Sequence, residues 1–234
     1  MSVAIVSAMQ QELTAVLNLM ATQRRHEVAG REFWIGELHG ASVVSVLSRI
    51  GKVAAATTAT ALIERFGVQQ IVFTGVAGGI GAQVDVGDVV VADSFIQHDL
   101  DASPIFPRYE VPLYGLSRFP ADPALSERLA RAARQALPGT RVHRGLVASG
   151  DRFVSTAPES RALRAALPEV LAVEMEGAAF AQVCHDYGVP FAAVRTISDR
   201  ADDGAPADFT RFVEEVASRH CGAIVEALLR QGWR

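Results

Sequence analysis

Hydrophobic positions along the chain fall into short unbroken runs separated by stretches with helical spacing. Residues 3–6 are apolar without a break and residues 10–17 shift to a helix-like pattern, which predicts a buried strand, a tight turn and a helix. Segments 32–38 and 41–48 read as a meander. The alanine-rich stretch 53–66 reads as a helix closed by Gly67, glycine being the usual residue just past a helix end. Residues 68–73 form the next buried run, ending in Thr74-Gly75-Val76-Ala77-Gly78-Gly79-Ile80-Gly81, and residues 87–93 form another. From 101 to 120 the pattern breaks around Pro104, Pro107, Pro112 and Pro120; irregular segments of more than ~15 residues in compact domains usually carry function. Helices are expected over 125–137, 158–167, 177–187 and 208–229, with strands over 144–149, 170–173 and 191–197. No linker, internal repeat or low-complexity stretch interrupts the alternation. One α/β domain over 1–234 is expected, with a largely parallel or mixed central β-sheet flanked by helices on both faces.

Composition narrows the class. The chain has 234 residues, 50% apolar and 21% charged, a balance that excludes disordered and fibrous proteins. No window approaches the ~18 consecutive apolar residues of a spanning helix. The opening Met1-Ser2-Val3-Ala4-Ile5 lacks a signal peptide's basic region and long apolar run, so a cytoplasmic protein without a membrane partner is expected. Cys184 and Cys221 alone do not make a disulfide framework. Net charge is −4 and the arginines are scattered, leaving no electrostatic footprint for nucleic acid. A small-molecule enzyme is the default. Lys52 is the single lysine and by itself carries no functional weight.

Ligands of open α/β sheets bind beyond the carboxyl ends of the strands. Those ends carry Ala8-Met9-Gln10-Gln11-Glu12, the glycine cluster at 75–81, Gly150-Asp151-Arg152-Phe153-Val154, Glu174-Met175-Glu176-Gly177 and Ser198-Asp199. The glycines follow neither the dinucleotide order nor the P-loop, so close passage of strand and helix is favoured over a phosphate cradle, with contact to a flat ligand as a third reading. Glu12 lies in the first turn of its helix, where the dipole stabilises a carboxylate. Glu174 and Glu176 have period-two spacing, so a strand running through both would aim them to one side and raise at least one pKa. They form either a charged rim or a recognition pair for ligand hydroxyls. Asp199 ends a buried run, as a turn cap or as a proton donor with a raised pKa. His98-Asp99-Leu100-Asp101 cannot by itself surround a metal, and no serine or cysteine sits in a nucleophile context.

Six motifs, Ala8-Met9-Gln10-Gln11-Glu12, Ile50-Gly51-Lys52-Val53-Ala54-Ala55, Thr74-Gly75-Val76-Ala77-Gly78-Gly79, Ser149-Gly150-Asp151-Arg152-Phe153, Val173-Glu174-Met175-Glu176 and Arg195-Thr196-Ile197-Ser198-Asp199, follow one another across nearly the whole chain. In order and spacing the sequence resembles the 5′-methylthioadenosine/S-adenosylhomocysteine nucleosidases, within the purine nucleoside phosphorylase superfamily. The resemblance implies a nucleoside phosphorylase-like fold, a homodimer, no metal or organic cofactor, and hydrolysis of the N-glycosidic bond of a 5′-modified adenosine. By position, Asp199 would protonate N7 of the leaving adenine and Glu12 would orient and deprotonate the water. Glu176 would hold the ribose hydroxyls beside Met175, Phe153 would stack on the base, and the Val154 backbone would read the adenine edge. Arg195 would help fix the water, and Gly78 and Ser198 would touch ligand. Met9, Ile50 and Phe209 match positions lining the 5′ pocket.

The chemistry agrees with that assignment. Cleavage of the C–N bond passes through an oxocarbenium-like state, which gains from a general acid on the leaving base and a carboxylate near the developing charge. Asp199 at the end of a buried strand is expected protonated near neutral pH, and Glu12 at a helix N-terminus ionised. A carboxylate at position 12 also repels phosphate, favouring a hydrolase over a phosphorylase. Two departures stand out. Val76 occupies a place where many relatives have serine, and the 102–114 loop is unlike the segment that in relatives completes the 5′ pocket across a dimer interface. An aminodeoxyfutalosine nucleosidase, a purine nucleoside phosphorylase and a catalytically silent nucleoside-binding module are the alternatives.

Overall fold

The computed structural model describes residues 2–212 and 216–233. Strand β1 (Ser2–Ser7) leads into helix α1 (Gln10–Leu17), and β2 (Gln23–Val28), β3 (Arg31–Leu38) and β4 (Ala41–Leu47) form an antiparallel meander. Then come α2 (Lys52–Phe66), β5 (Gln70–Gly79), β6 (Val89–Gln97), β7 (Arg118–Pro120), α3 (Pro123–Ala136), β8 (Val142–Ser149) and α4 (Ala157–Ala166). The order ends with β9 (Val170–Glu174), α5 (Gly177–Tyr187), β10 (Phe191–Asp199), α6 (Ala205–Phe212) and α7 (Ser218–Arg230).

The strands run β10-β6-β8-β9-β5-β1-β4-β3-β2, with β7 on β6. Because β10 also pairs with β5, half of the sheet closes on itself and β1, β4, β3 and β2 extend from it as an open wing. Pairing is mixed: β1 runs parallel to β4 and β5, whereas β10 is antiparallel to β6 and β5 to β9. Local chemistry sets the helix ends. Asp122 caps α3 by accepting the Leu125 N–H at 2.7 Å ahead of Pro123, and Gly67 closes α2 at φ 59°, where a side chain would be strained.

Apolar side chains pack on both faces of the sheet. One core gathers Phe33, Phe73, Phe95, Phe180 and Phe191 under α2 and α5; Phe73 and Phe180 lie 4.8 Å apart and Phe180 stacks on Phe191 at 5.8 Å. The other places Val3, Ile5, Val72 and Val194 against α1, α3 and α7 through Val16, Leu129, Ile224 and Leu228. This is the mixed, helix-flanked α/β architecture expected, and two segments differ from expectation. β2 carries Gln-Arg-Arg-His-Glu-Val, almost all exposed, because an edge strand needs no apolar face. β5 runs on through Gly79 instead of turning after Phe73. Of the helix expected over 208–229, α6 to Phe212 and α7 from Ser218 are helical, and residues 213–215 lie outside the described residues.

β2 can dock only because Gly36 lies opposite it: a Cβ there would stand 1.8 Å from the Thr22 carbonyl oxygen. Gly36→Ala is therefore expected to cost about 1–3 kcal/mol in urea unfolding. An unfolding free energy equal to wild type would contradict that contact.

Candidate active site

A cavity of about 390 Å³ opens where the C-terminal ends of β5, β9 and β10 meet the β1–α1 and β4–α2 turns. Its wall is largely apolar, with Met9, Ile50, Val76, Phe153, Met175 and Phe209, and three carboxylates, Glu174, Glu176 and Asp199, reach it. Phe153 meets Phe209 edge to face at 5.6 Å.

Below the wall lies a buried ion pair. Arg195 on β10 is 1% exposed; its Nη2 donates to Glu174 Oε2 at 2.7 Å and its Nη1 to the carbonyls of Phe73 and Val194. The guanidinium lies over the Phe73 ring at 4.1 Å, a favourable cation–π arrangement. Gly75 on the adjacent strand makes room, since a Cβ there would stand 3.3 Å from Nη1. Glu174 also accepts the Ser149 hydroxyl and the N–H groups of Glu176 and Gly177. Its charge is thus matched and its lone pairs occupied, the condition under which a buried ion pair is tolerated.

Glu176 does not share that role. β9 ends at Glu174 and Glu176 caps α5, so the period-two argument fails and the two carboxylates occupy different surroundings. Glu176 accepts the Gly51 N–H at 2.9 Å. Burial, then the neighbouring charge of Glu174, holds its carboxyl well above the usual range. Gly51 in turn belongs to a latch that single-residue reading missed. Lys52 Nζ donates to Asp99 at 2.5 Å and to Gln97 at 3.1 Å, the Lys52 N–H to Asp151 at 2.8 Å, and the Asp151 N–H back to Asp99 at 2.8 Å. The turn bearing Ile50 is thereby tied to the segment bearing Phe153. Both lie in quoted motifs, yet nothing in their spacing shows that Lys52 faces Asp99 from 47 residues away.

Glu12 is 1% exposed, and its Oε2 accepts the N–H groups of Ala8 at 3.2 Å and Met9 at 3.1 Å. Its Oε1 has no hydrogen bond among the described residues. Burial outweighs those N–H groups and the charge of Arg195, pushing the carboxyl up to about 7. This corrects the expectation of a firmly ionised Glu12: desolvation exceeds the stabilisation of a helix N-terminus.

Asp199 sits at a register shift between β10 and β5; such bulges re-aim side chains beside active sites. Its Oδ1 accepts the Ala201 N–H and its Oδ2 the Ser198 hydroxyl, both at 2.8 Å. Burial, aided by the charges of Asp202 and Asp208, raises its pKa against those two hydrogen bonds. Gly78 leaves space for it, because a Cβ there would be 3.0 Å from Oδ1. The glycines of β5 therefore serve close approach, to side chains of the neighbouring strand rather than to a following helix.

Met9, Ile50, Gly78, Phe153, Met175, Glu176, Ser198, Asp199 and Phe209 all line this one cavity. Val154 borders a smaller crevice that shares Gly78, Phe153, Met175 and Asp199 with it, and its main-chain N–H and C=O are unengaged among the described residues. Glu12 and Arg195 stand directly behind the wall, bonded to residues that form it. None of residues 101–120 lines the cavity.

A half-closed mixed sheet with buried carboxyl groups gathered at its strand ends defines a class of protein, the phosphorylase superfamily, whose family model matches residues 2–230. Similarity is closer to one branch of it. The chain is 37% identical to the 5′-methylthioadenosine/S-adenosylhomocysteine nucleosidase of Shewanella denitrificans, over 99% of this chain and 100% of that protein. It superposes on the enzyme of that name from Neisseria meningitidis, in complex with methylthio-immucillin-A, with TM-score 0.93 and 36% identity, covering 98% of this chain and 99% of that one. Futalosine hydrolase of Helicobacter pylori is also similar, with TM-score 0.91 and 31% identity, covering 98% of this chain and 97% of that one. The chain belongs to the 5′-methylthioadenosine/S-adenosylhomocysteine nucleosidase family.

Glu174→Gln leaves Arg195 buried without a counter-charge, and is expected to lower stability by about 3–5 kcal/mol. Losing that negative neighbour also lowers the pKa of Glu176. Carbon-13 titration of the Glu176 carboxyl checks this; a pKa that stays put or rises would refute the coupling.

Proposed function

We propose that this protein hydrolyses the N-glycosidic bond of 5′-modified adenosines such as 5′-methylthioadenosine, S-adenosylhomocysteine and 5′-deoxyadenosine, releasing adenine and the free 5′-modified ribose. The observation that carries this reading is the pair of buried carboxyl groups from different elements, Asp199 on the cavity wall and Glu12 held by the wall's Ala8 and Met9, each with its own hydrogen-bond surroundings. In this mechanism the raised pKa of Asp199 lets it hold a proton and deliver it to adenine N7 as the C–N bond lengthens. Glu12 accepts the proton of the attacking water through its free Oε1, and its negative charge stabilises the oxocarbenium-like sugar. Glu176 takes the ribose hydroxyls, Phe153 stacks on the base, the free N–H and C=O of Val154 suit the adenine edge, and Met9, Ile50 and Phe209 surround the 5′ group.

Arg195 plays its part at one remove. Its guanidinium is engaged with Glu174 and two carbonyls, so it acts on Glu12 through its field, which favours the ionised base. Val76 offers no hydroxyl to the cavity, and Ser198 supplies the one hydroxyl bonded to Asp199. A phosphate nucleophile would meet the carboxyl groups of Glu12 and Glu176, which are not paired to an arginine among the described residues, and this favours water over phosphate. The reading extends to residues 1–234 acting as one domain, in the cytoplasm, as a homodimer. Support for the dimer comes from Ile50, Val53, Ile105 and Leu113, which carry bulky apolar side chains outward.

In phosphate-free buffer, Glu12→Gln and Asp199→Asn should each lower adenine release from 5′-methylthioadenosine at least ~100-fold while circular dichroism stays native. Activity near wild type in either variant would sink the assignment. For wild type, kcat/KM should fall as pH drops through about 7 and Glu12 protonates; a rate constant unchanged between pH 8 and pH 6 would contradict the role of Glu12 as base. Stability follows from the same raised pKa. Relative to its ordinary value of 4.5, the Glu12 contribution is complete below that pH and is lost as pH rises through about 7. Glu12→Gln should therefore be more stable than wild type above pH 7, by up to about 3 kcal/mol; an unchanged or lower melting temperature there would contradict the burial argument.

A further inference from the structure

Asp199 stands where β10 leaves the sheet, and the chain is gripped on both sides of it by one turn, residues 84–88. Two residues before Asp199, the Ile197 N–H donates to the Asp88 carbonyl and the Ile197 carbonyl accepts the Gly87 N–H, both at 2.8 Å. One residue after it, Arg200 Nη1 donates to the Val84 carbonyl at 2.6 Å and to Asp85 Oδ1 at 2.7 Å, across 115 residues of sequence. Between the two grips lies the register shift that sets Asp199 opposite Gly78.

The turn is a braced anchor. Val84 is fully buried, and Asp88 is 6% exposed and accepts the Asp85 N–H at 3.0 Å. Arg141 and His143, beside the start of β8, bond to the Asp88 carboxylate at 3.2 and 2.8 Å. Beyond Arg200 the chain makes a tight hook. Ala201 is fully buried at φ 50°, a left-handed conformation that is costly for any residue but glycine and that persists where its surroundings enforce it. That conformation turns the Ala201 N–H back onto Asp199 Oδ1 at 2.8 Å. Burial raises the Asp199 pKa and the charges of Asp202 and Asp208 add to it, whereas the Arg200 guanidinium is engaged with Asp85. Arg200 therefore reaches Asp199 through the backbone of the hook.

We propose that Arg200, anchored on Val84 and Asp85, is a positioning residue for proton transfer by Asp199, fixing the strained hook whose Ala201 N–H aims the carboxyl group. The inference rests on the nucleosidase reading and adds to it a residue that does not line the cavity.

The leaving group separates positioning of the acid from a general structural role. Adenine leaves after protonation, whereas nitrophenolate leaves without a proton, so kcat is compared for 5′-methylthioadenosine and 4-nitrophenyl 5-deoxy-5-methylthioribofuranoside. Wild type is set beside Arg200→Met, Arg200→Lys, Asp85→Ala and the Arg200→Met/Asp85→Ala double variant, with Asp199→Asn as the reference for loss of the acid. The Arg200 and Asp85 side chains are 35% and 60% exposed, and exposed pairs add little to stability, so melting temperatures should stay close to wild type. In Arg200→Met the ratio of adenine to nitrophenolate release is expected to fall about tenfold, with KM little changed. Arg200→Lys, which keeps a donor for the Val84 carbonyl, should restore part of it. Adding Asp85→Ala to Arg200→Met should lower the ratio no further, because the two act as one unit. A wild-type ratio in Arg200→Met, with both substrates slowed alike or neither slowed, overturns the clamp; if Asp199→Asn still lowers the ratio, the nucleosidase reading stands. If Asp199→Asn keeps the wild-type ratio, or wild type releases no adenine, that reading fails and the clamp falls with it.

Discussion

The buried pair of Arg195 and Glu174 constrains everything around it. An arginine in the middle of an all-buried strand is intolerable unless its charge is met and its donors are used. The requirements reach two other strands: Glu174 at the end of β9 for the charge, and on β5 the Phe73 carbonyl and ring for donors and π-face and Gly75 for space. Three strands of the closed half of the sheet, β5, β9 and β10, are thereby tied together below the cavity. Since Glu174 is held in this role, the next carboxylate, Glu176, is the one left to face the cavity. The division of labour between two glutamates two residues apart follows from the arginine.

Burial acts on the remaining carboxyl groups in one direction and their partners act in the other. Glu12 accepts two N–H groups and feels Arg195, but is still raised to about 7. Asp199 accepts a hydroxyl and an N–H and is raised as well. The molecule thus invests stability in its site, holding carboxyl groups where their charged forms are poorly solvated. In the proposed mechanism these upward shifts serve a proton donor at Asp199 and a proton acceptor at Glu12. The apolar wall of Met9, Val76, Met175 and Phe153 keeps the dielectric low and is as much a part of that chemistry as the carboxylates.

Periodicity showed most of the fold, because the buried strands are continuous apolar runs and helices α2 and α5 close on glycines; α5 over Gly177–Tyr187 falls on the predicted boundaries. It failed where tertiary context overrides local pattern. β2 is polar because it is an edge, and β5 continues through glycines that read as a turn because its neighbours' side chains occupy the space. For the site, the strand-end rule brought the right motifs into view. It could not separate Glu174 from Glu176, since that depends on where β9 stops, nor show the Lys52–Asp99–Asp151 latch, whose members meet only in three dimensions. The raised pKa of Glu12 was likewise hidden, because a helix N-terminus is legible in sequence and the depth at which it is buried is not.

In the proposed reading the open end of the cavity takes the 5′ group. Ile50 is exposed and no residue of the proline-containing loop closes the space over it, so within one chain the strand ends wall one side of the cavity while the side at Ile50 is open. An open end places little steric limit on the substituent, and discrimination there must come from what lies just beyond the wall. At this end the bulky apolar side chains of Ile50, Val53, Ile105 and Leu113 point outward. Contacts at a solvated rim add modestly to affinity and more to selectivity, so in the proposed reading bond cleavage rests with Glu12 and Asp199 while substituent preference is set by groups that never touch the reacting atoms.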